Sequence, residues 1–214
     1  MFGIHDLTLF IVSGLLLNIM PGPDSLLIMA RSASQGWRAG SAAALGIGAG
    51  TMVHVLAAAI GLSALLSTSA TAFSVVKWVG AAYIVYVGIG LLRAKPAAAS
   101  LKTETAPALA PLPYRKIFFQ GFLTNVLNPK VAIFFLAFVP QFISPDAPSK
   151  ALAFIVLGCI FNVNGMVWCH TLAVFTAFAS ARLQLKPRLS AWLGRVTGGL
   201  FIALGFKLAL AKPN

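Results

Sequence analysis

Two short motifs hold the residues best placed to do chemistry: Pro21-Gly22-Pro23-Asp24 and Asn128-Pro129-Lys130. Each joins a helix breaker to a charge, and each falls inside a long apolar stretch. A carboxylate or an ammonium in hydrocarbon is costly and by default marks a functional site. A broken membrane helix is tolerated where the freed backbone lines a cavity or is covered by protein. The chemistry implied is binding and release of a small charged solute or a proton. Asp24 falls in the first turn of a new half-helix, whose free N–H groups and positive dipole end favour an anion. It reads as a proton carrier or a partner for a substrate ammonium, or else as a structural cap that holds the kink. Lys130 reads as a counter-charge to Asp24 or a site for a substrate carboxylate, or else as a snorkelling lysine beside a wet cleft.

Polar residues surround these motifs in the sequence. Asn18, Asn125 and Asn128 can satisfy broken backbone or bind polar groups. Thr51 and His54 are three apart and share roughly one helical face. His54 could relay protons near neutral pH or sit packed and neutral against a neighbouring helix. Asn162, Asn164, Trp168 and His170 form a second polar patch, with Asn164, Trp168 and Thr171 on one face, lining a pocket or simply packing. Gly36, Gly40, Gly46, Gly48 and Gly50 allow close helix approach and would permit a homodimer. Cys159 and Cys169 match no zinc or redox spacing and read as reduced core residues. There is no phosphate loop or metal-ligand cluster. With 4 acidic residues in all, ATP hydrolysis or metal chemistry has little to work with. No cofactor or metal is expected, and any energy must come from an ion gradient.

The elements that position these residues are set by composition. Only 9% of the chain is charged and 59% is hydrophobic, with mean hydropathy +0.90, against about 25% charged in soluble domains. The expected fold is all-α and polytopic in the membrane. Six apolar stretches stand out, at about Leu7–Ala30, Ala39–Leu66, Ala72–Leu92, Ile117–Ile143, Leu152–Ala179 and Ala191–Ala211. Each is long enough to cross a bilayer. Residues 94–114, rich in proline and alanine, read as a flexible linker between a first three-helix repeat (1–93) and a second (115–214). The first and fourth helices carry the breaks. Gly14 and Asn18 before the first break are echoed by Gly121 and Asn125 before the second. An odd number of spans per half inverts the second repeat, which puts a site at the interface near mid-membrane.

A net charge of +12 reads as topological signalling beside membrane spans rather than nucleic-acid binding. Arg31, Arg38, Arg93, Lys95, Lys102, Arg115, Lys116, Arg182, Lys186, Arg188 and Arg195 fall on one side. Lys77, Lys150, Lys207 and Lys212 fall near the other. This places the linker in the cytoplasm and both termini outside. The N-terminus lacks the pattern of a cleaved signal peptide. Trp37, Trp78, Tyr114 and Trp192 read as interfacial anchors.

Met20-Pro21-Gly22-Pro23-Asp24, Gly46-Ile47-Gly48-Ala49-Gly50, Val53-His54, Lys77-Trp78-Val79-Gly80-Ala81-Ala82-Tyr83 and the run from Gly121 to Lys130 resemble the LysE/RhtB family of amino-acid exporters. The likeness covers nearly the whole chain. It implies export of an amino acid or a derivative across the bacterial inner membrane by proton antiport, with Pro21, Pro23, Asp24, Asn128, Pro129 and Lys130 as the matching positions. Many relatives have an acidic residue where this chain has Thr51. That departure leans towards neutral substrates such as threonine, homoserine or leucine, and away from lysine. In this reading the half-helix end after Pro23 and Lys130 hold the substrate carboxylate. Asp24 exchanges its ammonium for a proton. The alternatives are a cation or heavy-metal exporter, a non-transporting membrane subunit and a passive channel. Metal export should need several intramembrane carboxylates or thiolates. A membrane enzyme lacks a nucleophile–base pair.

Overall fold

The first break follows from its prolines. Helix α1 (Leu7–Ile19) is an almost wholly apolar run that ends at Met20, with φ −56° and ψ 125°. The residue before a proline is pushed towards extended backbone in this way. Gly22 is fully extended, and Pro23 opens α2 (Pro23–Gln35) at its first position, where the missing N–H costs nothing. The two helices bend by 54°.

Helix α2 continues past Ala30, where the apolar stretch ends, to Gln35. It stops at Gly36, which has φ +82°, a conformation glycine adopts without penalty. The Gly36 N–H donates to the Ser32 carbonyl at 2.9 Å. α3 (Trp37–Ala57) starts directly afterwards and runs on through a π-helical turn at Ala58–Leu62. This computed structural model describes residues 2–64 and 110–179, with 71, 75, 78, 82, 85, 86, 89, 93, 199, 202 and 203 as single helical positions. The third and sixth apolar stretches, residues 94–109 of the linker and Trp192 otherwise lie outside the described residues.

The second half repeats the pattern of helix, break and helix. α4 (Tyr114–Val126) takes in the last residue of the expected linker. It breaks at Leu127-Asn128, and Pro129 opens α5 (Pro129–Ile133). α5 passes into a π turn (Phe134–Phe138) and a 3₁₀ turn (Val139–Phe142). The bend is 48°. α6 (Lys150–Ala179) is a single 30-residue helix. Among the described residues two helices, Trp37–Leu62 and Lys150–Phe178, are long and apolar enough to cross a membrane, or up to four if each bent pair is one span. The chain is all-helical there, apart from an antiparallel bridge between Ile4 and Ile143.

Two cores hold the bundle. One is aromatic and gathers Phe10, Phe134, Phe135, Phe138, Phe142, Phe154 and Phe161. The other is made of small and branched side chains, with Ile28, Ala39, Ala43, Ala44, Ile47, Ile117 and Ala173. Small residues let backbones meet in place of the hydrophobic drive that lipid removes. A Cβ on Gly46 would strike the Phe118 carbonyl, and one on Gly121 would strike the Ala43 carbonyl. A Cβ on Gly48 would sit 2.6 Å from Met166 Sδ. Gly46 and Gly50 of α3 are thus packed against α4, and Gly48 against α6, of the same chain. Cys159 is exposed while Cys169 is buried, and both are free, so the core reading holds for Cys169 alone. Trp37, Trp78 and Tyr114 are exposed.

Candidate functional site

The two breaks face each other. Asp24, in the first turn of α2, does not cap its own helix, because Gly22 is the N-cap and no side chain bonds there. Its carboxylate reaches across to the other half. Oδ2 accepts from Asn125 Nδ2 at 2.8 Å and from Asn128 Nδ2 at 3.1 Å. Hydrogen bonds to a charged acceptor are worth about 1.5–3 kcal/mol each. Its second oxygen, Oδ1, is buried without a partner. A buried carboxylate oxygen with no donor is ready for a proton or a cationic ligand.

Lys130 does not pair with Asp24. Among the described residues the ion pair within 4 Å is His5 with Asp6, 3.5 Å apart on the surface. The Lys130 ammonium instead donates to the carbonyls of Leu17 at 3.2 Å and Met20 at 3.3 Å. These belong to the open C-terminal end of α1, where the helix dipole is negative and a cation is favoured. The reason is the prolines: the break strips α1 of the partners that a continuing helix would give those carbonyls. Gly22 leaves the room for this, since a Cβ there would lie 3.3 Å from Lys130 Nζ. Of the readings of Lys130, the direct counter-charge to Asp24 gives way to a cation at one half-helix end and an anion at the other.

Asn125, which is buried, links three helices. Its Oδ1 accepts from Thr51 Oγ1 at 3.3 Å, and the same hydroxyl lies 3.1 Å from the Ile47 carbonyl. Its carbonyl meets His54 Nε2 at 3.0 Å. His54 stacks on Phe135, with ring centroids 6.3 Å apart. His54 is thereby one bond removed from the carboxylate cluster.

A cavity of about 20 Å³ lies at this junction, lined by Leu17, Asn18, Asp24, Thr51, Asn125 and Lys130, with Ser25, Val131, Phe161 and Cys169 closing it. That is room for roughly one water. An amino-acid-sized ligand needs the helices to part, so the site is closed here.

Sequence reasoning thus brings together Asp24, Lys130, Asn128, Asn125, Asn18 and Thr51, with Pro21, Gly22, Pro23 and Pro129 shaping the breaks. The second polar patch is split. His170 Nδ1 bonds its own helix at the Met166 carbonyl, 2.9 Å away. Thr171 does likewise with the Val167 carbonyl at 2.8 Å. The residues missed are Leu17 and Met20, which act through backbone carbonyls and leave no side-chain signal, and Phe161 and Cys169 from α6. Arg31, one of the topological charges expected beside the spans, is buried instead. It is a helical residue only 5% exposed, bonded to Gln120 Oε1 at 2.9 Å and the Ala110 carbonyl at 3.5 Å. Gln35 next to it exchanges two 3.0 Å bonds with the Leu112 backbone. Among the described residues no group of three His, Cys, Asp or Glu is placed to hold a metal ion.

Apolar helices with paired, charge-bearing breaks around a closed polar cavity define a multi-pass membrane protein of the transporter class. The chain matches the LysE type translocator family over residues 15–212 and belongs to it. It is 31% identical over 209 residues to an uncharacterised membrane protein of Pseudomonas aeruginosa, covering 98% of this chain and 97% of that one. It is 32% identical over 213 residues to proteins of Salmonella typhi and Salmonella typhimurium described as homoserine/homoserine lactone efflux proteins, covering 95% of each chain. No solved structure matches it significantly.

Proposed function

We propose that this protein is a secondary exporter of small, mainly neutral amino acids or their derivatives, driven by proton antiport. Asp24 takes the substrate ammonium and a proton in turn. The observation that carries the reading is the carboxylate itself: one oxygen fixed by two asparagines, the other buried, unpartnered and beside a cavity. A single carboxylate that must hold one of two cations couples their movements without further machinery. Family membership and the two efflux relatives support export, and homoserine lactone joins threonine, homoserine and leucine as a candidate.

In this reading Asn125 and Asn128 orient Asp24, and Thr51 and His54 brace Asn125. Lys130 keeps the broken end of α1 satisfied. The remaining architecture belongs to the same proposal: six spans as two inverted three-helix repeats, 1–93 and 115–214, joined by a cytoplasmic linker at 94–114. Both termini face outside, and the membrane is the bacterial inner membrane.

Everted vesicles test the proposal, because export appears there as uptake. Labelled threonine, homoserine, homoserine lactone, leucine and lysine are offered separately, with and without an imposed pH gradient. Uptake of a neutral substrate that collapses with the gradient is the expected result. Uptake indifferent to the gradient would make the protein a passive channel, and no uptake beside a working control would remove the exporter reading.

A further inference from the structure

Eight buried side-chain polar atoms among the described residues have no partner, and four of them belong to residues that line the cavity or lie within three positions of one that does. Asp24 on α2 offers an acceptor, Oδ1, with no donor. Asn18 on α1 and Asn164 and Trp168 on α6 offer donors, Nδ2, Nδ2 and Nε1, with no acceptor. Asn18 lines the cavity with Asp24. It also sits against α6, its side chain 3.3 to 3.5 Å from where a Cβ on Gly165 would lie. Asn164 and Trp168 flank Gly165 and are one helical turn apart, with Cβ atoms about 6 Å from each other. Trp168 packs on the core cluster that contains Ile28 of α2.

Each buried N–H without a partner costs about 1–3 kcal/mol. Three such donors, one on α1 and two on α6, ask for a group that only accepts. An ionised carboxylate is such a group, with about four lone-pair sites. The ammonium of Lys130, the obvious alternative anchor, is already engaged by the Leu17 and Met20 carbonyls. The unpartnered acceptor on α2 and donors on α1 and α6 match the two ends of a zwitterion.

Resting on the exporter reading above, we infer that the seam between α1 and α6 is the subsite for the substrate carboxylate, formed by Asn18, Asn164 and Trp168. The substrate lies across the α1–α2 break with its ammonium at Asp24 and its carboxylate on α6. These three are specificity-determining residues, since they separate a free acid from an analogue that lacks one.

Homoserine and homoserine lactone make the discriminating pair, because the lactone has no free carboxylate. Uptake of each is measured in everted vesicles carrying the wild type, Asn164→Leu, Trp168→Phe or Asn164→Gln. The expected result is a roughly tenfold or greater loss of homoserine uptake in the first two variants, about 1.4 kcal/mol per tenfold. Lactone uptake should stay within about twofold of wild type, which also shows that the variants fold. Asn164→Gln, which keeps the amide donor, should retain part of the homoserine activity. Equal losses for acid and lactone would overturn the subsite and leave a packing role. Lost proton dependence with unchanged discrimination would overturn it in favour of a water path. Wild-type vesicles that move neither compound would instead sink the exporter reading, and the subsite with it.

Discussion

The two helix breaks look alike in sequence but solve the same problem in opposite ways. The second break is satisfied from within: Asn128 Oδ1 accepts from the Lys130 N–H at 3.0 Å and caps α5. The first break has no such device. Gly22 brings no side chain to cap α2, and the Leu17 and Met20 carbonyls are met only by Lys130 from the other half. All four bonds joining the breaks run one way, with donors from Asn125, Asn128 and Lys130 and acceptors on α1 and Asp24. The second half therefore acts as a preformed cradle, and the first break is held in shape by it. A ligand or proton at Asp24 alters the bonds that hold the halves together, which is how occupancy can be converted into movement.

Removing the acceptor's charge should break this asymmetry most severely. Asp24→Asn keeps the size but loses the charge, and uptake should fall about 100-fold or more, some 2.8 kcal/mol at about 1.4 per tenfold. Retained gradient-driven uptake would show that coupling lies elsewhere.

Lys130→Met comes next. It strips two buried carbonyls of their donor, at about 1–3 kcal/mol for each unsatisfied group. The thermal midpoint in detergent should drop by several degrees or more, and uptake should fall with it. An unchanged midpoint would mean that water replaces the ammonium at no cost.

Asn128→Ala tests the self-capped break. It removes a helix cap worth about 0.5–2 kcal/mol together with one bond to Asp24. Asn125→Ala has no cap to lose, so its midpoint should fall less, while its uptake should suffer at least as much. The reverse order would place the stabilising role in Asn125.

Gly22→Ala should be the mildest. Its backbone is extended rather than left-handed, and its new Cβ would meet only the flexible tip of Lys130 at 3.3 Å. A cost below about 1 kcal/mol is expected, in the range of mild crowding. A collapse of expression would show that Lys130 cannot yield.

The sequence-level reading was strongest where local chemistry decides. Proline placed both breaks, with glycine beside it at the first and asparagine at the second, and a lone charge at each marked the site. The α3 glycines announced close packing, though not which helix would fill them. Three things were illegible for physical reasons. The partners of Lys130 are backbone carbonyls, whose availability depends on the break and not on the identity of Leu17 or Met20. α2 outlasts its apolar stretch because Arg31 and Gln35 find partners in Gln120 and the 110–112 backbone, contacts far away in sequence. The split of the Asn162–His170 patch depends on which face of α6 meets α1. Helical periodicity groups these residues but does not say what they face.

Proton release on substrate binding tests the central claim most directly. Purified protein in weakly buffered detergent receives homoserine or threonine while the pH is followed. If Asp24 exchanges a proton for the substrate ammonium, about one proton should leave for each molecule bound, by reciprocal linkage. Asp24→Asn should release none. Proton release undiminished in Asp24→Asn would contradict the account, because the exchanging group would then be some other residue.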